Sequence, residues 1–202
     1  MSFKKSWGLG GIAAAMALAL PAFAAEREVT IDDDDDTRGG LTRDLGVSVS
    51  GGVNAFTGDL GDNTSAGALL GIQANSRPLP LIGLEVGYEG SRNPFENFDG
   101  ALWRHNVGAL AKVGPQLGQN GDLRPFVGAG LGLSVLNPSD DGEVLFNNDF
   151  IAEVPVAAGV DYQFGAITAG ARATYRFLSG ENLGLAQDGN AVNLGINLGG
   201  SF

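Results

Sequence analysis

The stretch Ala191-Val192-Asn193-Leu194-Gly195-Ile196-Asn197-Leu198-Gly199-Gly200-Ser201-Phe202 decides how this chain folds. Val192, Leu194, Ile196, Leu198 and Phe202 share one parity, interrupted only by Gly200. Ala191, Asn193, Gly195, Asn197, Gly199 and Ser201 occupy the other. A strand sends successive side chains to opposite faces. The segment therefore predicts a strand with one greasy face and one small, polar face, ending on an aromatic residue.

Working back from it, the same alternation recurs. The predicted strands are about Leu45–Thr57, Ala66–Ser76, Leu81–Ser91, Ala101–Val113, Leu123–Val135, Phe150–Gln163, Ala166–Leu178 and Ala191–Phe202. Each is near the roughly 9–11 residues that a tilted membrane strand requires. No helical period of useful length competes with them.

Composition agrees. Glycine accounts for 33 of 202 residues with no three-residue period, which excludes collagen. Charged residues are only 17% and hydrophobic ones 44%. There is no cysteine, so disulfides and thiolate chemistry drop out. A net charge of −11 argues against nucleic acid as a partner, because that requires a basic face.

Residues 1–24 predict a signal peptide. Lys4 and Lys5 form its positive start, Ile12 to Leu20 its apolar stretch, and Pro21 breaks it. Ala22-Phe23-Ala24 then supplies small residues for cleavage before Ala25. The apolar stretch is shorter than the roughly 18 residues of a spanning helix. Without Lys4 and Lys5, 10 basic and 23 acidic residues leave a net charge of −13. Residues 25–44 form an acidic segment containing the run Asp32 to Asp36, which is expected to stay solvated. A calcium loop fits it poorly, because Thr37 stands where the turn glycine belongs and no glutamate closes the motif. Residues 45–202 form the barrel domain.

The connectors alternate in character. Gly58–Ser65, Arg92–Gly100, Leu136–Asp149 and Ser179–Asn190 are rich in Asp, Asn and Gly and would face outward. Arg77–Pro80, Gly114–Asp122 and the tight Phe164-Gly165 would face the periplasm. Long loops outside and short turns inside is the asymmetry of membrane barrels.

Alternation alone does not separate a membrane barrel from a soluble one, which shows the same pattern turned inside out. Two features of the strands favour the membrane. The polar parity is crowded with glycine and serine, as in Gly128, Gly130, Gly132 and Ser134. Eight strands enclose a lumen only wide enough for side chains, so small residues belong inside. Aromatics on the apolar parity gather near strand ends: Tyr88, Trp103, Phe150, Tyr175 and Phe177 at one, Tyr162 and Phe202 at the other. That matches interfacial girdles.

On these residues the chain resembles the eight-stranded outer-membrane barrels of the OmpA/OmpX type, over about Leu45 to Phe202. The resemblance implies an all-β, eight-stranded antiparallel up-and-down transmembrane barrel in a Gram-negative-type outer membrane. It also implies that Phe202 belongs to the signal read by the barrel-assembly machinery. No appended peptidoglycan-binding domain of the kind some relatives carry is expected. The expected surroundings are outer-membrane lipid and lipopolysaccharide, the expected state is a monomer, and no cofactor or metal is implied.

The inner parity carries Glu85, Glu89, Glu153 and Asp161 with Arg104, Lys112, Arg124, Arg172 and Arg176. Charges in a closed interior must be paired or hydrated. Strand geometry sets Glu153 against Arg176 and Glu89 against Arg104 near the outer end, and Arg124 against Asp161 near the periplasmic end. Glu85 and Arg172 approach from opposite walls at mid-height, where they form a plug or a gate. Two functions follow from that interior: a closed scaffold with a structural or surface-interaction role, or a narrow gated pore for ions or small solutes. A lipid-modifying enzyme is the rival of another class. It needs a nucleophile with a positioned base. The single histidine, His105, lies beside Trp103 on the lipid-facing parity, away from Ser48, Ser50 and Ser134, so no catalytic residue is expected. Among the outer loops, Asp140, Asp141, Glu143 and Asp149 are solvated tips or a weak site for divalent cations at a lipopolysaccharide surface.

Overall fold

The structure, a computed structural model, describes residues 44–97, 99–118, 121–139, 149–179 and 189–201. The expected signal peptide, the Asp32 to Asp36 run, Asp140, Asp141, Glu143 and Phe202 lie outside the described residues, as does the side chain of Asp149.

Eight strands follow one another: β1 (Asp44–Thr57), β2 (Gly67–Leu79), β3 (Ile82–Pro94), β4 (Ala101–Val113), β5 (Leu123–Pro138), β6 (Asp149–Phe164), β7 (Ile167–Ser179) and β8 (Gly189–Ser201). Each pairs antiparallel with the next, and β8 closes on β1 through pairs such as Val49 with Leu198. Closure removes every sheet edge and satisfies the backbone within the wall, the condition for a sheet to exist in hydrocarbon.

The polarity is that of a membrane barrel. Most outward residues are apolar and many of the large ones are exposed, Leu131 71% and Phe150 80%. Inward residues such as Ser48, Gln73, Glu89, Arg104, Asn106 and Glu153 are buried. A soluble monomer does not leave so continuous an apolar band in water.

Three connectors differ from the sequence reading. Gly58–Ser65, expected as a plain loop, begins with a short helix, α1 (Gly58–Asn63). Asp59 sits in its first turn, where negative charge complements the helix dipole. The helix presses close to β1: a β-carbon on Gly61 would stand 2.5 Å from the Phe56 carbonyl oxygen. Second, β2 and β3 continue through Arg77 to a two-residue turn at Pro80-Leu81, with a register shift between Ser76 and Leu79. Third, the turn after β6 is Gly165-Ala166, one residue later than expected, with Phe164 paired to Ile167 and Gly165 at φ 60°. A hairpin of this length needs a residue in the left-handed region, and glycine supplies it. The segment between β4 and β5 is long because it folds back on itself, Leu117 and Leu123 exchanging backbone hydrogen bonds of 2.7 and 3.1 Å.

Candidate functional site

Strands β3, β4, β6 and β7 carry eight charges that meet inside the barrel, and they meet in two layers. Toward the long-loop end, Arg104 donates from Nε and Nη2 to the two oxygens of Glu153, each at 2.6 Å. Its Nη1 reaches Glu89 at 2.9 Å. Arg176 completes the ring, with 3.0 Å to Glu89 and 3.2 Å to Glu153. Asn193 donates to Glu89 at 2.7 Å, and the Ser134 hydroxyl donates to Glu153. Below this quartet lies a second. Arg172 reaches across from β7 to Glu85 on β3 at 2.5 Å, and Lys112 stands 3.2 Å from both Glu85 and Asp161. Asn197 adds a hydrogen bond to Asp161 at 3.3 Å.

Each layer holds two acids and two bases, so each is neutral by itself. A buried charge without a partner is costly, whereas here each of the four members of a layer meets a charge of opposite sign. Between the layers a gap of about 50 Å³ is bordered by Gln73, Glu85, Asn106, Arg172 and Thr174. That is room for a few waters.

Glu89 with Arg104, Glu153 with Arg176, and Glu85 with Arg172 thus come together. Arg124 and Asp161 do not, although they are register partners on β5 and β6. Asp161 turns to Lys112, and Arg124 donates to the Gly121 carbonyl at 3.3 Å. Arg124 lies one residue inside the end of its strand, where its guanidinium keeps water at the short-turn mouth instead of being desolvated in the lower layer.

Sequence reasoning missed the apolar cap over the upper layer. Phe56, Leu60, Phe95, Leu102, Leu136, Ile151 and Ala191 form one buried cluster at the long-loop end, with Leu178 packed against it. The signal was present: Phe56, Leu102, Leu136, Ile151 and Leu178 stand on the inward parity of their strands. Leu60, on α1, had no such signal. The short-turn end is polar instead, its opening bordered by Ser48, Asn75, Arg124, Asp161, Thr168 and Asn197.

On the outside of the wall, His105 stacks against Trp103, ring centroids 6.4 Å apart, and its Nδ1 lies 2.6 Å from the Tyr88 hydroxyl. Among the described residues, no group of three or more His, Asp or Glu side chains gathers as a metal site.

Compared with solved structures, the chain is similar to Neisserial surface protein A, NspA, at a TM-score of 0.63 and 17% identity, covering 78% of this chain and 97% of that one. It is also similar to Ail, the attachment invasion locus protein of Yersinia pestis, in complex with the heparin analogue sucrose octasulfate, at a TM-score of 0.54 and 13% identity. That match covers 79% of this chain and 99% of Ail. The chain has the fold of the small eight-stranded outer-membrane barrels. No protein-family profile matches it, and no curated protein sequence does.

Proposed function

We propose that this chain is an outer-membrane scaffold whose lumen is sealed and whose working surface is the set of connectors at the long-loop end. The observation that carries the sealed lumen is the sequence of obstacles along its axis: an apolar cap closed by Leu60, then two neutral charge layers spanning the barrel. An ion moving through would have to break paired charges and then cross a dry apolar plug. In this reading residues 1–24 export the chain, Phe202 serves the barrel-assembly machinery, and the inserted protein is a monomer surrounded by outer-membrane lipid and lipopolysaccharide. The long connectors face outward, in keeping with the loop asymmetry of such barrels.

The connectors suggest the sign of a surface partner. From Gly58–Ser65, Arg92–Gly100, Leu136–Asp149 and Ser179–Asn190 the sequence presents 10 acidic residues against one base, Arg92. Ail is seen with a sulfated heparin analogue; an acidic surface of this kind instead suits cations or a basic partner. Catalysis is no part of the proposal. His105 contacts Tyr88 and Trp103, and its strand position turns it away from the lumen hydroxyls.

Single-channel recording from the chain refolded in a planar bilayer tests the sealed lumen, with Glu85→Ala and Arg172→Ala as companions. The expected result is no steady conductance for the wild type. Steady wild-type conductance that rises in either variant would replace this reading with the gated pore.

A further inference from the structure

Among the described residues the outward face of the strands carries one charged residue, and it does not stand alone. On the described strands every Asp, Glu, Lys and Arg falls on the inward parity except Arg92 of β3. Arg92 is exposed, two residues from the long-loop end of its strand. Directly across the ladder is Trp103 of β4, and the Arg92 guanidinium carbon lies 5.8 Å from the centroid of its ring. Next on the same face comes His105, its ring within 6° of parallel to Trp103. The protein's single histidine and the one outward arginine of the described strands therefore flank one tryptophan.

The strand opposite is shaped to hold that imidazole. The cross-strand partner of His105 is Gly90. Because Gly90 has no side chain, the Tyr88 ring lies along the strand over it, and a β-carbon there would stand 3.0 Å from the tyrosine hydroxyl oxygen. That position lets the hydroxyl meet His105 Nδ1 at 2.6 Å. A hydroxyl that donates to Nδ1 selects the tautomer with its hydrogen on Nε2, the one the site requires. Elsewhere on the outer face Tyr175 pairs with Phe177 and Tyr162 with Phe164.

We infer that Tyr88, Arg92, Trp103 and His105 form a site for the phosphate of an outer-leaflet lipid headgroup. The inference rests on the outer-membrane reading above, which sets this rim at headgroup level. A guanidinium fixed over an indole offers a planar pair of donors that suits a phosphate, and the imidazole Nε2 adds a third from beside it. The acyl chains then lie on the outward residues Val107, Ala109 and Val86 below. A lone arginine on a lipid face ordinarily reaches for the interface without selectivity; the oriented histidine is what makes this rim discriminate.

The test uses the full chain refolded into vesicles of a phosphate-free galactolipid containing a small fraction of lipid A or of lipid A stripped of its phosphates. Insertion is read by heat-modifiable migration, and retained lipid by intact-mass measurement after release in mild detergent. The wild type is expected to hold one lipid A and to discard the stripped form. Arg92→Ala and His105→Gln are expected to lower retention about tenfold each, as loss of one charge-assisted hydrogen bond does, and Tyr88→Phe by less. Tyr175→Ala, on the far wall, is expected to retain lipid A as the wild type does. Equal retention of the two lipids, or undiminished retention by the rim variants, overturns the site while leaving the barrel intact. Complete displacement by millimolar inorganic phosphate overturns the lipid as its ligand. Failure to insert overturns the outer-membrane reading together with the site.

Discussion

Arg104 and Glu153 stand 49 residues apart with the whole of β5 between their strands, yet they form a two-pronged ion pair with both side chains at 0% exposure. The pair is one edge of a closed ring. Its loss therefore has consequences that depend on what remains charged.

Arg104→Met leaves Glu89 and Glu153 sharing one arginine in a dry interior. The expected loss is about 3–5 kcal/mol of stability, the usual consequence of stripping one partner from a buried ion pair. The double variant Arg104→Met with Glu153→Met keeps Arg176 paired with Glu89 and is expected to recover most of that loss. Urea titrations of the refolded barrel compare the two, and a double variant weaker than the single would contradict neutrality of the layer as its organising condition.

Leu60 is 1% exposed and comes from α1, outside the barrel wall. Leu60→Ala is expected to cost about 2–4 kcal/mol, because the cap cannot collapse around the void. Hydrogen exchange should quicken at the long-loop ends of β1 and β8, which α1 packs against, and remain unchanged near Gly165. A uniform increase over the barrel would show that α1 has no local role.

Gly130 and Gly51 separate wall geometry from mere glycine content. A β-carbon on Gly130 would stand 1.9 Å from the Ala109 carbonyl oxygen, a backbone atom that cannot swing aside. On Gly51 the nearest atom would be 3.6 Å away, on the Leu70 side chain. Gly130→Ala is expected to abolish most refolding and Gly51→Ala to change stability by less than about 0.5 kcal/mol. Equal refolding yields on gel migration would refute the distinction.

Leu131→Arg tests the solvent. At the middle of β5's outward face, a charge in hydrocarbon should cost about 2–4 kcal/mol in refolding into bilayers. In water the same substitution on an exposed residue would cost almost nothing. Unchanged bilayer refolding would count against the membrane as the medium of this wall.

The strands were legible in the sequence because a closed barrel repeats one local rule. Every residue's face follows from its parity, so Thr168, Gly170, Arg172, Thr174 and Arg176 could be assigned inward from β7 alone. The antiparallel hairpins carried approximate registers as well: counting through one loop sets Glu89 against Arg104, whereas the ladder pairs Glu89 with Asn106, one inward step away. Even the Phe164–Ile167 hairpin was displaced by only one residue.

What parity does not encode is which inward charges choose each other across the lumen. Lys112 takes both Glu85 and Asp161, and Arg124 stays at the mouth, because side-chain reach and the cost of desolvation are settled in three dimensions. The cap needed tertiary structure for a further reason. Leu60 belongs to an Asp- and Gly-rich segment that reads as solvent-exposed, and only the mouth of a closed barrel gives its side chain somewhere dry to go. The sequence by itself determined the wall, since alternation is local; the tertiary structure decided the interior, since pairing and burial are not.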